Sequence, residues 1–292
     1  MTMILLVWIG VLIFIVICVC IYGLVMEPRS LRITRHEIRS NCIPAAFDGT
    51  TIVQFSDTHI GPHYSLKRLR RLADAINSLH PDILVFTGDL HDARRKDNIA
   101  KYDPAPILAG MNARLGKYAV YGNHDFGYWK NSRTSGSFLG RGGFTMLVNR
   151  TARIVADNGD RILIAGLDDC IIGQPKPKQT LSGVSDETFL LLLAHEPDLA
   201  NRLINYPIDL QLSGHSHGGQ VKLPLFGPFV TTVYGRKYVQ GLYTVKGRRR
   251  GARPYHLYVN RGIGTTRIPV RIGSVPELSV FTLLRERPTN QS

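Results

Sequence analysis

Five short segments rich in metal-ligating side chains each follow directly on an apolar run with strand character: Asp57-Thr58-His59, Gly88-Asp89, Gly122-Asn123-His124-Asp125, His195 and Gly214-His215-Ser216-His217. The runs before them cover residues 51–55, 83–87, 118–121, 189–194 and 208–212, and 162–166, 256–259 and 278–283 read as further strands. Between the first two runs the spacing predicts a helix. Ser65 can cap it, and Leu66, Leu69, Leu72, Ala73, Ile76 and Leu79 share one face. Strands alternating with helices predict an α/β sandwich, in which loops at strand ends bring residues more than a hundred positions apart onto one site.

Any one of these segments alone reads equally as a turn or a satisfied core histidine. Five in register do not. Ten of the 292 residues are histidine, and His59, His124, His195, His215 and His217 all fall in the strand-end segments, which a random scatter rarely produces. Asp, Asn and His are oxygen and imidazole donors suited to Mn, Fe or Zn, and the lack of cysteine among them argues against a structural thiolate zinc site.

In these segments the chain resembles the calcineurin-like metallophosphoesterase superfamily, whose pattern D-x-H, G-D-x-x-D, G-N-H-[DE], H, G-H-x-H is matched in full and in order over roughly residues 50 to 265. The resemblance implies a four-layer α/β/β/α sandwich and two divalent cations, manganese favoured over iron or zinc. It places one metal on Asp57, His59, Asp89 and His217 and the second on Asp89, Asn123, His195 and His215, with Asp89 bridging. Two cations ~3.5–4 Å apart lower the pKa of a bridging water, so that hydroxide is available for in-line attack on phosphorus. His124 is expected to protonate the leaving oxygen or stabilise the transition state, with Asp125 orienting its imidazole. Asp92 completes the D-x-x-D spacing and is expected to hydrogen-bond a metal-binding histidine. His91 receives no role.

The stretch from Gly214 to Gln220 with Pro224, and then Asn260-Arg-Gly-Ile-Gly264, Ile268-Pro-Val-Arg271 and Pro276-Glu277, resemble the membrane-associated YkuE/YaeI-type phosphodiesterases, a branch that includes a UDP-2,3-diacylglucosamine pyrophosphatase. Gly262 and Gly264 would let backbone amides approach a phosphate, and Arg261, Arg267 and Arg271 could hold a pyrophosphate. The resulting expectation is a phosphodiester or pyrophosphate hydrolase acting on a lipid-linked substrate such as UDP-2,3-diacylglucosamine. A nuclease or phosphomonoesterase of the same superfamily and a metal-binding scaffold without turnover are the alternatives. No interleaving of aromatic with basic residues marks a nucleic-acid path, so nucleic acid is not expected as a partner.

The 24 positions 3–26 carry no charged side chain, enough at ~1.5 Å rise per residue to cross a ~30 Å hydrocarbon core. No Lys or Arg precedes this run and no small-residue cleavage site follows it, so it reads as a retained transmembrane helix rather than a signal peptide. Arg29, Arg32, Arg35 and Arg39 come immediately after it, which by the positive-inside rule places the catalytic domain in the cytoplasm, on a bacterial inner membrane. The chain divides into an anchor (1–27), a linker with a first strand (28–49) and a metallophosphoesterase domain (50–292). Hydrophobic residues at 44% and charged residues at 20% exclude wholesale disorder. A net charge of +14 favours anionic partners, and the basic runs 67–71, 94–96 and 248–250 can face phosphates, anionic lipid or plain solvent. Pocket walls such as loop 127–143 set the substrate.

Overall fold

The computed structural model describes residues 2–92, 99, 101–127, 132–223, 227–229, 231–246 and 254–286. The basic runs 94–96 and 248–250, Pro224 and part of the 127–143 loop lie outside the described residues.

Two six-stranded sheets face each other. The first contains β1 (Arg32–Ser40), β2 (Thr51–Phe55), β3 (Ile83–Phe86), β4 (Lys117–Ala119), β5 (Phe144–Met146) and β14 (Glu277–Arg285), in the order β1-β14-β2-β3-β4-β5. The second contains β6 (Arg150–Val155), β7 (Arg161–Gly166), β8 (Leu190–Leu193), β9 (Leu210–Ser213), β12 (Gly241–Val245) and β13 (Tyr255–Val259), in the order β12-β13-β9-β8-β7-β6. A two-residue pair, β10 (Lys222–Leu223) and β11 (Gly227–Pro228), stands apart. β2 to β5 run parallel, as do β13, β9, β8 and β7, so the ligand-bearing loops leave the sheets at strand carboxyl ends.

The central core lies between the sheets, where Ile52, Ile83 and Val85 meet Ile164, Leu191, Leu210 and Tyr258. These strands read as continuous apolar runs because both of their faces are covered. On the outer face of the first sheet packs α2 (Leu66–Ser78), whose buried residues Leu69, Leu72, Ala73 and Ile76 lie on the predicted face; Ser65 Oγ accepts from Arg68 N at its start. On the outer face of the second sheet, Leu199, Ala200 and Leu203 cover Leu190, Leu192 and Leu257. The layer order is therefore α/β/β/α. Buried Gln54 on β2 donates through Nε2 to Thr87 Oγ1 and to Ser213 O, both at 3.0 Å, tying the two sheets together beneath the ligand loops.

Each of the eight expected strands is there, and β3, β4 and β8 end before Thr87, Tyr121 and Ala194, where the chain is already leaving the sheet toward a candidate metal-binding side chain. β5, β6 and β12 go beyond the eight expected strands; they are short or lie at sheet edges, where alternation is weakest. β1 pairs with β14 along its whole length, so the first sheet begins before residue 50.

The N-terminal helix α1 (Thr2–Ile21) is exposed and, with the turns that follow, is long and apolar enough to cross a membrane. Its end is fixed to the domain. Arg271 N donates to Gly23 O at 2.9 Å, and Glu27 accepts through its carboxylate from Gly273 N and Ser274 N. Gly23 also packs so closely on Ile272 that an added Cβ would come within 2.9 Å of it.

Candidate metal centre

The loop after β2 presents Asp57 and His59, the loop after β3 Asp89, the turn Asn123–Asp125 its three side chains, and the exits of β8 and β9 His195, His215 and His217. All are buried, His124 least so. Asp57, His59, Asp89, His215 and His217 all have φ between +44° and +69°. None is glycine, so each turn is held in a conformation that costs an ordinary side chain on the order of 1 kcal/mol or more and clusters at functional sites. Glycines let the loops close: a Cβ on Gly122 would lie 2.3 Å from Asp89 Oδ1, and one on Gly214 2.3 Å from Asp57 Oδ2.

Two donor clusters meet at Asp89, and a third group, His59, Asp92 and His124, lies beside them. His217 Nε2 lies 3.1 Å from His59 Nε2 and 3.4 Å from Asp57 Oδ1. Asp89 Oδ2 lies 3.5 Å from His59 Nε2 and 3.3 Å from His195 Nε2, so one oxygen faces both groups. The donors of Asp89, His195 and His215 lie within 4.8 Å of one another. Such separations suit donors sharing a cation at about 2.0–2.2 Å from each. Buried Asn123 Oδ1 and His195 Nε2 make no hydrogen bond among the described residues, although Asp89 Oδ2 lies near the latter. An unsatisfied buried acceptor costs about 1–3 kcal/mol, and a divalent cation would satisfy both. His195 Nδ1 is fixed by Thr87 O at 2.6 Å and His215 Nε2 by Val233 O at 2.8 Å, which leaves the other ring nitrogen of each free to ligate. The residues present fit a divalent-metal centre.

For three of the four histidines the electrostatics agree. Burial, then the neighbouring His124, pushes His59 down to about 3, and burial, then His195, pushes His215 down to about 4. Burial, then His59 and Arg271, holds His217 well below the usual range. All three stay neutral, which is the ligating form. His195 differs: burial lowers it, but Asp89 and then Asp57 overcome that and hold it well above the usual imidazole range, so a metal must displace its proton. Burial raises the Asp89 carboxyl, but His195 and His124 overcome it and keep it ionised. Burial pushes Asp57 up to about 6, with His195 opposing and Asp89 reinforcing. Without a cation this carboxylate is therefore protonated below about pH 6, and a metal must displace the proton. Apparent metal affinity, measured by competition with a chelator, is expected to fall about tenfold per pH unit below 6 and to be insensitive to this group above 7. A flat profile from pH 5 to 7 would remove Asp57 from the ligand set.

A sequence model of the calcineurin-like phosphoesterase family matches residues 50–219, more than half of the chain. The chain belongs to that family. Over 90% of this phosphoesterase and 88% of the relative, it is 42% identical to the uncharacterized metallophosphoesterase YkuE of Bacillus subtilis. It is 30% identical to the phosphodiesterase YaeI of Escherichia coli, over 76% of this chain and 79% of that one. It is 27% identical to the UDP-2,3-diacylglucosamine pyrophosphatase LpxG of Chlamydia muridarum, over 89% and 92%. It is a phosphoester hydrolase of the YkuE, YaeI and LpxG branch.

Two expected contacts differ in the structure. Asp125 does not orient His124: its Oδ2 accepts from Asp89 N and Gly122 N, and its Oδ1 from Leu90 N, all at 2.8 Å. It holds the Asp89 and Gly122 loops together. Asp92, expected behind a metal-binding histidine, instead places Oδ1 3.2 Å from His124 Nδ1. Consecutive side chains of a tight turn diverge, so His124 and Asp125 point apart although they are neighbours in sequence.

The late arginines and glycines are also corrected. Arg271 is fully buried, and its guanidinium donates to the carbonyls of Gly264, Ser274 and Arg261 and faces His217 Nδ1 at 3.3 Å. Gly262 and Gly264 pack on the backbone and Cβ of Asp57 and Thr58, where a side chain would collide. Arg261 pairs with Glu277 through Nε at 3.1 Å and Nη2 at 3.0 Å. Arg267 alone is exposed. Glu277 also accepts from Thr34 Oγ1 and Tyr258 OH, joining β1, β13 and β14. Arg261→Ala would leave that buried carboxylate without its cation and is expected to destabilise the fold by about 3–5 kcal/mol, measured by denaturant unfolding. A loss below 1 kcal/mol would mean the pair is dispensable.

Sequence reasoning missed Asp168, although it follows β7 at the same strand-end position as the ligands. It pairs with Arg133 at 2.7 Å beside a cavity of about 270 Å³ that begins at Phe126, two residues beyond His124, and reaches Gln174 and Lys176. His91 is buried and hydrogen-bonds the Tyr102 carbonyl, a structural contact.

Proposed function

We propose that the chain hydrolyses a phosphodiester or pyrophosphate bond of a lipid-linked molecule such as UDP-2,3-diacylglucosamine, at a two-metal centre with Asp89 as the shared ligand. The observation that carries this reading is the meeting of the two donor clusters at Asp89 Oδ2, on a domain fixed to the end of an apolar helix. Asp57, His59, Asp89 and His217 would hold one cation and Asp89, Asn123, His195 and His215 the other, with manganese the metal to load first. When bound, the pair supplies Lewis acidity toward water and the phosphoryl oxygens. The chain's own part is to hold this donor set rigid and to keep His124 at its rim, where a proton can reach the leaving oxygen.

The likeness to a diacylglucosamine pyrophosphatase and to a phosphodiesterase supports both bond types. The apolar helix supports a membrane-held substrate, since a tether raises its effective concentration. The test gives detergent-solubilised, manganese-loaded full-length protein UDP-2,3-diacylglucosamine and an aryl phosphodiester in parallel, with products identified by mass. UMP release far faster than diester cleavage supports the sugar-nucleotide substrate; diester cleavage alone removes it; silence with metal bound favours a scaffold. The arginines after the helix, Arg29, Arg32, Arg35 and Arg39, support a domain on the cytoplasmic face of a bacterial inner membrane. A C-terminal reporter active only outside the cytoplasm would overturn that orientation.

A further inference from the structure

A second cavity, of about 180 Å³, opens where the chain leaves the apolar helix. Arg29, at the end of the last turn of that helix, and Arg68 and Arg71 of α2 line it. Arg68 is held in place by neutral partners only. Its Nη1 donates to His63 O, its Nη2 donates to Pro28 O, and the guanidinium lies 4.5 Å over the Tyr64 ring. Among the described residues none of the three arginines pairs with a carboxylate, and no lining residue is acidic. Cations gathered around one cavity without counter-charge repel one another: burial lowers the Arg68 guanidinium below its ordinary value, and Arg29 adds to that while Tyr64 opposes it. The remaining walls include Leu31, Leu72 and Ile263. The cavity is thus cationic on one side and apolar on the other.

Its position gives that chemistry a meaning. Glu27 and Gly23 fix the helix exit to the 271–274 loop, so the cavity cannot drift from the end of the apolar segment. If α1 crosses a bilayer, Arg29 lies at headgroup depth. We propose that this cavity binds the phosphate of an anionic phospholipid headgroup, with guanidinium groups on the phosphate and the apolar wall against the glycerol end of the acyl chains. Such a headgroup would touch Ile263, whose amide donates to Ser56 O in the loop that carries Asp57. The site is separate from the metal centre and rests on the membrane anchoring proposed above.

The test uses full-length protein in a neutral detergent, titrated with phosphatidylglycerol, phosphatidylcholine or glycerol 1-phosphate and read by native mass spectrometry. Phosphatidylglycerol is expected to bind and the zwitterionic lipid to bind far more weakly. Arg29→Gln with Arg71→Gln, both exposed, should weaken phosphatidylglycerol binding about fivefold per arginine, roughly thirtyfold together. Arg153→Gln with Arg161→Gln, on the β6–β7 hairpin, removes the same charge and should change it less than about twofold. Equal losses in the two pairs would reduce the effect to diffuse attraction and overturn the site. Glycerol 1-phosphate binding as tightly as the lipid would reassign the cavity to soluble phosphate esters and also overturn it. Failure of the anchoring is distinguishable: a wild-type chain stripped from membranes by alkaline carbonate defeats the anchor, whereas a chain that stays with the membrane but binds no phosphatidylglycerol defeats only the headgroup site.

Discussion

Asp89→Asn is expected to remove both metals and to lower turnover by roughly 10³-fold or more, because several kcal/mol of transition-state stabilisation go with the cations. Among the described residues, Asp89 is the one carboxylate within 3.5 Å of histidines from both clusters, His59 and His195. Its other oxygen accepts from His124 N at 2.7 Å, so the residue also sets the turn that carries Asn123. An amide keeps that hydrogen bond and the shape while removing the charge, which isolates ligation from folding. His215→Ala provides the contrast, since His215 belongs to one cluster only. Metal content by mass spectrometry should fall from two per chain to none in Asp89→Asn and to one in His215→Ala. Two metals retained in Asp89→Asn, or identical losses in both variants, would refute the shared-ligand arrangement.

What the letters carried and what they did not can be separated by physical cause. The candidate ligands are legible because each follows an apolar strand, and parallel strands deliver their exits to one edge. The helix α2 is legible from its apolar stripe. The positive φ of Asp57, His59, Asp89, His215 and His217 is not, since none is a glycine and the strain is imposed by the surrounding loops. Burial of Arg271 was equally hidden: its partners are mostly backbone carbonyls, which every residue has. Adjacency misled at His124-Asp125, where proximity in sequence suggested a contact that the turn forbids. The signal for Asp92 was its spacing from Asp89, which carried no direction; only the fold aims it at His124.

The contact of Asp92 with His124 sets the second large effect. His124 stands at the rim of the site with its side chain 11% exposed, its ring edge-on to His59 at 4.7 Å and Asp92 on Nδ1. Asp92 thus fixes the ring orientation and leaves Nε2 to meet the substrate. His124→Ala should retain both metals and lose about 10²–10⁴-fold in kcat, the range for removing a general acid. Asp92→Asn should lose less, because an amide oxygen can still accept from Nδ1 but carries no charge to stabilise an imidazolium. The leaving group decides between roles: an aryl diester, whose phenolate departs readily, should suffer much less from His124→Ala than an alkyl diester that needs a proton. Equal losses on both would make His124 a stabiliser of phosphoryl charge. Loss of metal would have a concrete structural meaning too, since the donors of His59, Asp92 and His124 lie within 4.8 Å of one another and would then be a ligand group in their own right.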